Sequence, residues 1–171
     1  MNRRHLALGA GVAVAAAAAG IAGWRLTGDR SEPAPAGFWD LRFERPEGGS
    51  LALAELRGGP LLLNFWATWC APCITELPLL DAFAKQQAAA GWKLVGLAVD
   101  APTPVRRFVK ERPLSFPVGL AGLEGTDLGK ALGNHQGGLP FSVLFDRQGR
   151  IADRKLGALH PPDLERWAKR F

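Results

Sequence analysis

The stretch Leu61-Leu62-Leu63-Asn64-Phe65-Trp66-Ala67-Thr68-Trp69-Cys70-Ala71-Pro72-Cys73 carries the reading of the fold. Its first six residues are a short apolar run without alternation, which predicts a strand covered on both faces, as in a parallel or mixed sheet. Beyond it, Ile74, Leu77, Leu80, Phe83 and Ala84 recur at helical spacing, so a helix is expected over 72–87, kinked at Pro78. The two cysteines sit where a buried strand hands over to a helix.

On the N-terminal side of this stretch, Trp39-Asp40-Leu41-Arg42-Phe43 alternates, and Glu47-Gly48-Gly49-Ser50 turns the chain toward Leu51-Ala52-Leu53. That pattern predicts an edge hairpin. On the C-terminal side a second buried strand is expected over 93–99, a helix over 103–110 entered through Pro104, and a short helix over 126–132 capped by Thr126. An antiparallel hairpin is expected over 141–156, turning at Asp146-Arg147-Gln148-Gly149, and Leu164, Trp167 and Phe171 lie on one face of a closing helix. The order is that of an α/β fold: a central mixed β-sheet flanked by helices, with an N-terminal β-hairpin extension.

A chain of 171 residues with 47% hydrophobic and 22% charged residues buries one core and makes one domain. It carries no polar or Gln/Ser-rich tract and no repeat, which excludes disordered and solenoid classes. The formal charge of +5 weakens on inspection, because four basic and two acidic residues precede residue 37 and the remainder holds 17 basic against 14 acidic residues, a net +3. These are interspersed rather than gathered in a stripe, so nucleic acid is not an expected partner.

Arg3 and Arg4 precede an uncharged stretch over 6–24. As a helix it would be roughly 28 Å long, just enough for a bilayer. Positive charge on its N-terminal side places that side in the cytoplasm and exports the rest of the chain. Residues 1–30 are read as a signal anchor, or as a signal peptide of the general or the twin-arginine route; a buried helix of the domain is the alternative. The expected location is the bacterial periplasm, anchored to the inner membrane through 6–24 or soluble after cleavage, with 31–37 as linker and 38–171 as the folded domain.

Two cysteines cannot form a disulfide scaffold for this chain. Cys70, at a helix N-terminus, meets unpaired backbone N–H groups and the positive end of the helix dipole, which favour thiolate, so Cys70 is the expected nucleophile. Cys73 returns on the first helical turn, near enough to attack a mixed disulfide on Cys70, and Pro72 stiffens that turn. Glu76, one further turn along, is the candidate proton acceptor for Cys73; a solvated helix carboxylate is the bland alternative. A metal site would need ligands beyond this pair, and His5, His135 and His160 are widely spread. No cofactor or resident metal is called for.

Asn64-Phe65-Trp66-Ala67-Thr68-Trp69-Cys70-Ala71-Pro72-Cys73, together with Glu76 and Pro78, resembles the active-site stretch of the TlpA/ResA/CcmG-like thioredoxin-fold disulfide reductases of bacterial envelopes. Gly138-Leu139-Pro140 and the hairpin beyond it resemble that family's cis-proline loop. The resemblance spans about residues 38–171 and implies a thioredoxin-like fold, a redox disulfide between Cys70 and Cys73, a cis Pro140 facing the cysteines, and Trp69 shielding the thiol. It makes Trp69, Leu139 and Pro140 the expected contacts of the bound partner, with Leu139 and Phe141 standing where the family often has other residues. It implies protein disulfide substrates in the cell envelope and a membrane-embedded electron donor of the DsbD/CcdA type, and a monomer is the expected state.

Three functions fit these residues. The first is an exported thiol:disulfide oxidoreductase that reduces envelope disulfides, apocytochrome c thiols among them. The second runs the same chemistry as an oxidant, because direction depends on reduction potential. The third is a copper-binding assembly module using Cys70, Cys73 and His135, although a loop histidine is more simply a surface residue.

Overall fold

The computed structural model describes residues 31–171. The expected anchor over 6–24, with Arg3, Arg4, His5 and Trp24, lies outside the described residues. Among the described residues no helix is long and apolar enough to cross a membrane.

Among the described residues seven strands form one sheet in the order β2-β1-β5-β4-β3-β6-β7. They are β1 (Arg42–Glu44), β2 (Ser50–Ala52), β3 (Leu61–Trp66), β4 (Lys93–Ala98), β5 (Val118–Leu120), β6 (Phe141–Phe145) and β7 (Ile151–Leu156). The helices are α1 (Ala71–Gln87), α2 (Pro102–Glu111), α3 (Glu124–Ala131) and α4 (Pro161–Ala168). Strand β3 is central and buried at all six positions, parallel to β4 and antiparallel to β6. The apolar run is thus what a doubly covered strand requires.

Because side chains alternate along a strand, β3 feeds two cores. Leu62 and Trp66 join Cys73, Leu77, Leu80 and Trp167 on the face packed by α1 and α4. Leu61, Leu63 and Phe65 join Val95, Phe141 and Phe145 on the other. Each fully buried Leu or Phe contributes about 1.5–3 kcal/mol. Asn64 has the parity of Leu62 and Trp66, so the strand aims its one polar side chain at α1.

Several expectations are corrected. Trp39 and Asp40 belong to a 3-10 turn (Phe38–Asp40) rather than a strand, because Phe38 and Trp39 turn inward onto Phe145, with ring centroids 4.9 and 5.3 Å away. Strand β5 has no counterpart among the expected elements: it has only three residues, one of them Gly119, and exists through pairing with β4 and with Glu44 of β1. That pairing joins the N-terminal hairpin to the main sheet. Helix α3 starts at Glu124 behind Leu123, without a side-chain cap, so Thr126 lies within the helix. The helix expected over 72–87 is α1, and as expected it contains Pro78.

The stretch 31–37 is held on the domain. Glu32 exchanges two backbone hydrogen bonds with Ile151, at 2.8 and 2.7 Å, and its carboxylate pairs with Arg154 at 2.8 Å. Its backbone polar groups are satisfied at a strand edge, and the compact unit accordingly spans Ser31–Phe171.

Candidate active site

The chain leaves β3 through Ala67-Thr68-Trp69, and this turn is fixed from the adjacent parallel strand. Asp100, just past β4, accepts from the Thr68 backbone N–H at 2.9 Å and from the Thr68 hydroxyl, and its other oxygen accepts from the Ala101 N–H at 2.7 Å. Sequence reasoning missed Asp100. Its signal was an acid at the carboxyl end of the strand beside β3, where open α/β sheets build their sites.

Cys70 is the N-cap of α1, and its Sγ accepts the Cys73 backbone N–H at 3.3 Å. The two sulfurs are joined in a disulfide with Cα atoms 5.3 Å apart, so the structure is of the oxidised form. Cys73 is wholly buried, whereas Cys70 retains slight exposure at the surface beside Trp69, which is 69% exposed. The Leu139–Pro140 peptide bond is cis, Pro140 is buried, and Leu139 packs partly buried against both cores.

Glu76 is not a solvated helix charge: it is 3% exposed in the interior between α1 and β3. Its Oε1 accepts from Asn64 Nδ2 at 2.8 Å and its Oε2 from the Leu159 backbone N–H at 2.6 Å. Asn64 Nδ2 also donates to Ser142 Oγ at 3.0 Å, across the β3–β6 pair that sets these two residues opposite each other. Burial raises the Glu76 pKa, against the lowering effects of these two hydrogen bonds and of the charge on Lys155. Ser142 and Leu159 carried no recognisable signal in the sequence, since only the sheet register and the loop before α4 bring them to Glu76.

His135 is exposed on the turn after α3 and is not brought into this polar cluster. Among the described residues no three His, Cys, Asp or Glu side chains are grouped to hold a metal ion.

A strand-to-helix dithiol with a cis-proline loop on a mixed sheet is an arrangement for thiol–disulfide exchange. The Redoxin family profile matches residues 31–167. The chain belongs to the redoxin family. This redoxin is 32% identical over 127 residues to the thiol-disulfide oxidoreductase ResA of Bacillus cereus, covering 73% of this chain and 70% of that protein. It is 32% identical over 118 residues to ResA of Halalkalibacterium halodurans, covering 68% and 65%. Among solved structures, a thiol:disulfide interchange protein of the thioredoxin family from Chlorobium tepidum superposes with a TM-score of 0.69 at 29% identity, over 82% of this redoxin and 96% of that chain. StoA from Bacillus subtilis superposes with a TM-score of 0.60 at 27% identity, over 74% and 94%. The redoxin is a thiol:disulfide oxidoreductase of the TlpA/ResA/CcmG-like group, and its substrates are disulfide-containing proteins.

Proposed function

We propose that this redoxin reduces disulfides of proteins in the bacterial envelope, with Cys70 as attacking thiol, Cys73 as resolving thiol and Glu76 as the proton acceptor for Cys73. The observation that carries the residue roles is the contrast between Cys70, which keeps 5% exposure at a helix N-cap, and Cys73, fully enclosed one turn from a buried carboxyl. The dipole and free N–H groups of α1 favour a thiolate on Cys70. Cys73 can reach a substrate only through Cys70.

In the reduced protein the Cys70 thiolate attacks one substrate sulfur, the substrate S–S bond breaks, and one substrate thiolate leaves and takes up a proton. A mixed disulfide on Cys70 remains. Cys73 passes its proton toward Glu76 and attacks the Cys70 sulfur, releasing the second substrate thiol and forming the Cys70–Cys73 disulfide. Two electrons have moved from the dithiol to the substrate. A membrane-embedded dithiol donor of the DsbD/CcdA type returns them. In this reading Trp69, Leu139 and Pro140 meet the substrate chain.

The envelope location rests on Arg3 and Arg4 ahead of the apolar stretch over 6–24, which anchors a periplasmic domain. The reducing direction rests on the resemblance to the envelope disulfide reductases, and cytochrome c biogenesis is a pathway that consumes such reductant. The deciding experiment equilibrates the protein with thiol buffers of known potential. A value well below the roughly −120 mV of a strong disulfide-forming oxidant is expected, and a value near it would reverse the direction. Fusions of alkaline phosphatase and of a cytoplasm-only reporter after Phe171 check export: activity of the second with silence of the first would refute it.

A further inference from the structure

The face of the sheet under α1 and α4 carries a polar rung. The register sets Asn64 of β3 opposite Ser142 of β6, and Ser142 opposite Lys155 of β7. Residues paired across strands send their side chains to the same face. The first two members of the rung reach Glu76 through the Asn64 amide. The third brings a cation to the same row.

Lys155 is half-buried, and its ammonium pairs with the carboxylate of Asp163, in the first turn of α4, rather than with Glu76. The short loop before α4 serves both acids. Its Leu159 N–H donates to Glu76 Oε2 at 2.6 Å, and the next N–H, that of His160, donates to Asp163 Oδ2 at 3.0 Å. Two carboxylates, one enclosed and one nearer the surface, are thus held by consecutive amides, and the ammonium is drawn to the outer one.

Other charged groups on the elements around Glu76 are engaged elsewhere or face water. Asp153 on β7 accepts the Trp167 indole N–H at 2.7 Å, and Arg154, on the opposite face of β7, pairs with Glu32. On α4, Arg166 donates to the other Asp163 oxygen at 3.2 Å. His160, Glu165 and Lys169 are exposed. On α1, Asp81 pairs with Lys85 at 2.6 Å, and β3 and β6 hold no ionisable side chain.

An enclosed carboxylate is costly unless hydrogen bonds or a counter-charge offset its lost hydration. Burial has the largest effect and raises the Glu76 pKa; the Leu159 and Asn64 bonds lower it, and so does the charge on Lys155. The Lys155 hydrogen bond is also the main cause that holds the Asp163 pKa below its ordinary 3.8. Both acids therefore draw on one ammonium.

Resting on the reading of Glu76 as proton acceptor for Cys73, we propose that Lys155 is a positioning residue for the resolving step. Its ammonium, shared between Asp163 and Glu76, holds Glu76 as the carboxylate in the reduced protein. As the Cys73 sulfur displaces the substrate sulfur from Cys70, the Cys73 proton passes to a Glu76 oxygen. Glu76 is then neutral, and the ammonium is left to Asp163, as in the oxidised structure.

The test mixes the reduced full chain, in detergent, with excess dithiobis(nitrobenzoate). Attack by Cys70 releases one coloured thiolate and resolution by Cys73 the second, so the two steps are read separately over about pH 5 to 9. Lys155→Met keeps the stem and removes the charge. Its resolution phase is expected to fall about threefold or more near pH 6 and to rejoin the wild type toward about pH 9, where the Cys73 thiol ionises unaided. Lys155→Arg should restore the wild-type profile. Asp163→Asn keeps an oxygen for the His160 N–H and should move the acid limb the other way, toward lower pH; it serves if Lys155→Met does not fold. An acid limb that stays in place in the folded variants, with Glu76→Gln still slow, overturns the role of Lys155 alone. So does equal slowing at every pH, the mark of a structural role, or a Lys155→Met effect undiminished in the Glu76→Gln background. Glu76→Gln resolving as fast as wild type overturns the proton-acceptor reading and this proposal with it.

Discussion

Asn64 of β3 donates a 2.8 Å hydrogen bond to the buried carboxylate of Glu76 on α1, so the strand that delivers Cys70 also holds the acid one turn beyond Cys73. The same amide group reaches Ser142 on β6, tying three elements to one proton-binding group. A free thiol with a pKa of about 8.5 is only a few per cent ionised near neutrality, so a positioned base should speed the resolving step.

Glu76→Gln should slow release of the mixed disulfide from Cys70 by at least about tenfold, a floor below the roughly 10²–10⁴ that fully engaged general acid–base catalysis supplies. Attack by Cys70 should change little. Acid-quenched time courses with a model disulfide would show the mixed disulfide accumulating in the variant. Wild-type resolution across neutral pH would leave Glu76 with a structural role only.

The stability of the oxidised protein should carry the signature of the same group. Burial raises the Glu76 pKa above its ordinary 4.5, despite the bonds from Leu159 and Asn64. Well below that ordinary value Glu76 is protonated whether the chain is folded or not. As pH rises through the window up to the raised pKa, the unfolded chain gives up this proton while the folded one keeps it, so stability falls. Urea titrations of wild type and Glu76→Gln should therefore show the wild type losing ground to the variant as pH rises from about 4.5; a gain would contradict the raised pKa.

Asp81 should act in the opposite sense. Burial alone would raise its pKa, but Lys85 and Ser115 outweigh it and hold the carboxyl at about 2, down from 3.8. The Lys85 ammonium is 2.6 Å away, and the Ser115 N–H donates at 2.6 Å. This contribution is present above pH 3.8 and is lost as pH falls toward 2. Asp81→Asn should lower the thermal stability near neutrality and flatten the acid limb of the unfolding profile in that interval. An acid limb as steep as that of the wild type would contradict the lowered pKa.

Reduced protein treated briefly with iodoacetamide near neutral pH should be labelled at Cys70 before Cys73, and Cys73→Ser should trap substrates as stable mixed disulfides. Peptide mapping reads the first and non-reducing electrophoresis the second. Preferential labelling of Cys73 would exchange the two roles.

Gly59→Ala tests the close approach that starts β3. A Cβ there would lie 2.3 Å from the Gly91 carbonyl oxygen, backbone against backbone, so the chain must shift. A loss of about 1–3 kcal/mol in denaturant unfolding is expected, the usual range for forced overpacking. Unchanged stability would mean that the 58–60 and 90–92 turns separate without cost.

Elements whose signal is local were legible from the residues alone. The unbroken run at 61–66 reads as a strand covered on both faces, the Ile74, Leu77, Leu80 and Phe83 spacing reads as a helix, and their junction places Cys70 and Cys73 at a helix start. Cys70-Ala71-Pro72-Cys73 therefore announces its chemistry independently of packing. Tertiary structure decided what depends on partners distant in the chain. Strand β5 holds three residues and no periodic signal, and it is a strand only because β4 and β1 offer it open edges. By its spacing Glu76 could equally be a surface charge. Its burial comes from the β3–β6 register that sets Ser142 beside Asn64, and from a loop 83 residues away that donates the Leu159 N–H. Local propensity reaches a turn or two along the chain, whereas desolvation and hydrogen-bond completion are settled by whatever the sheet brings alongside.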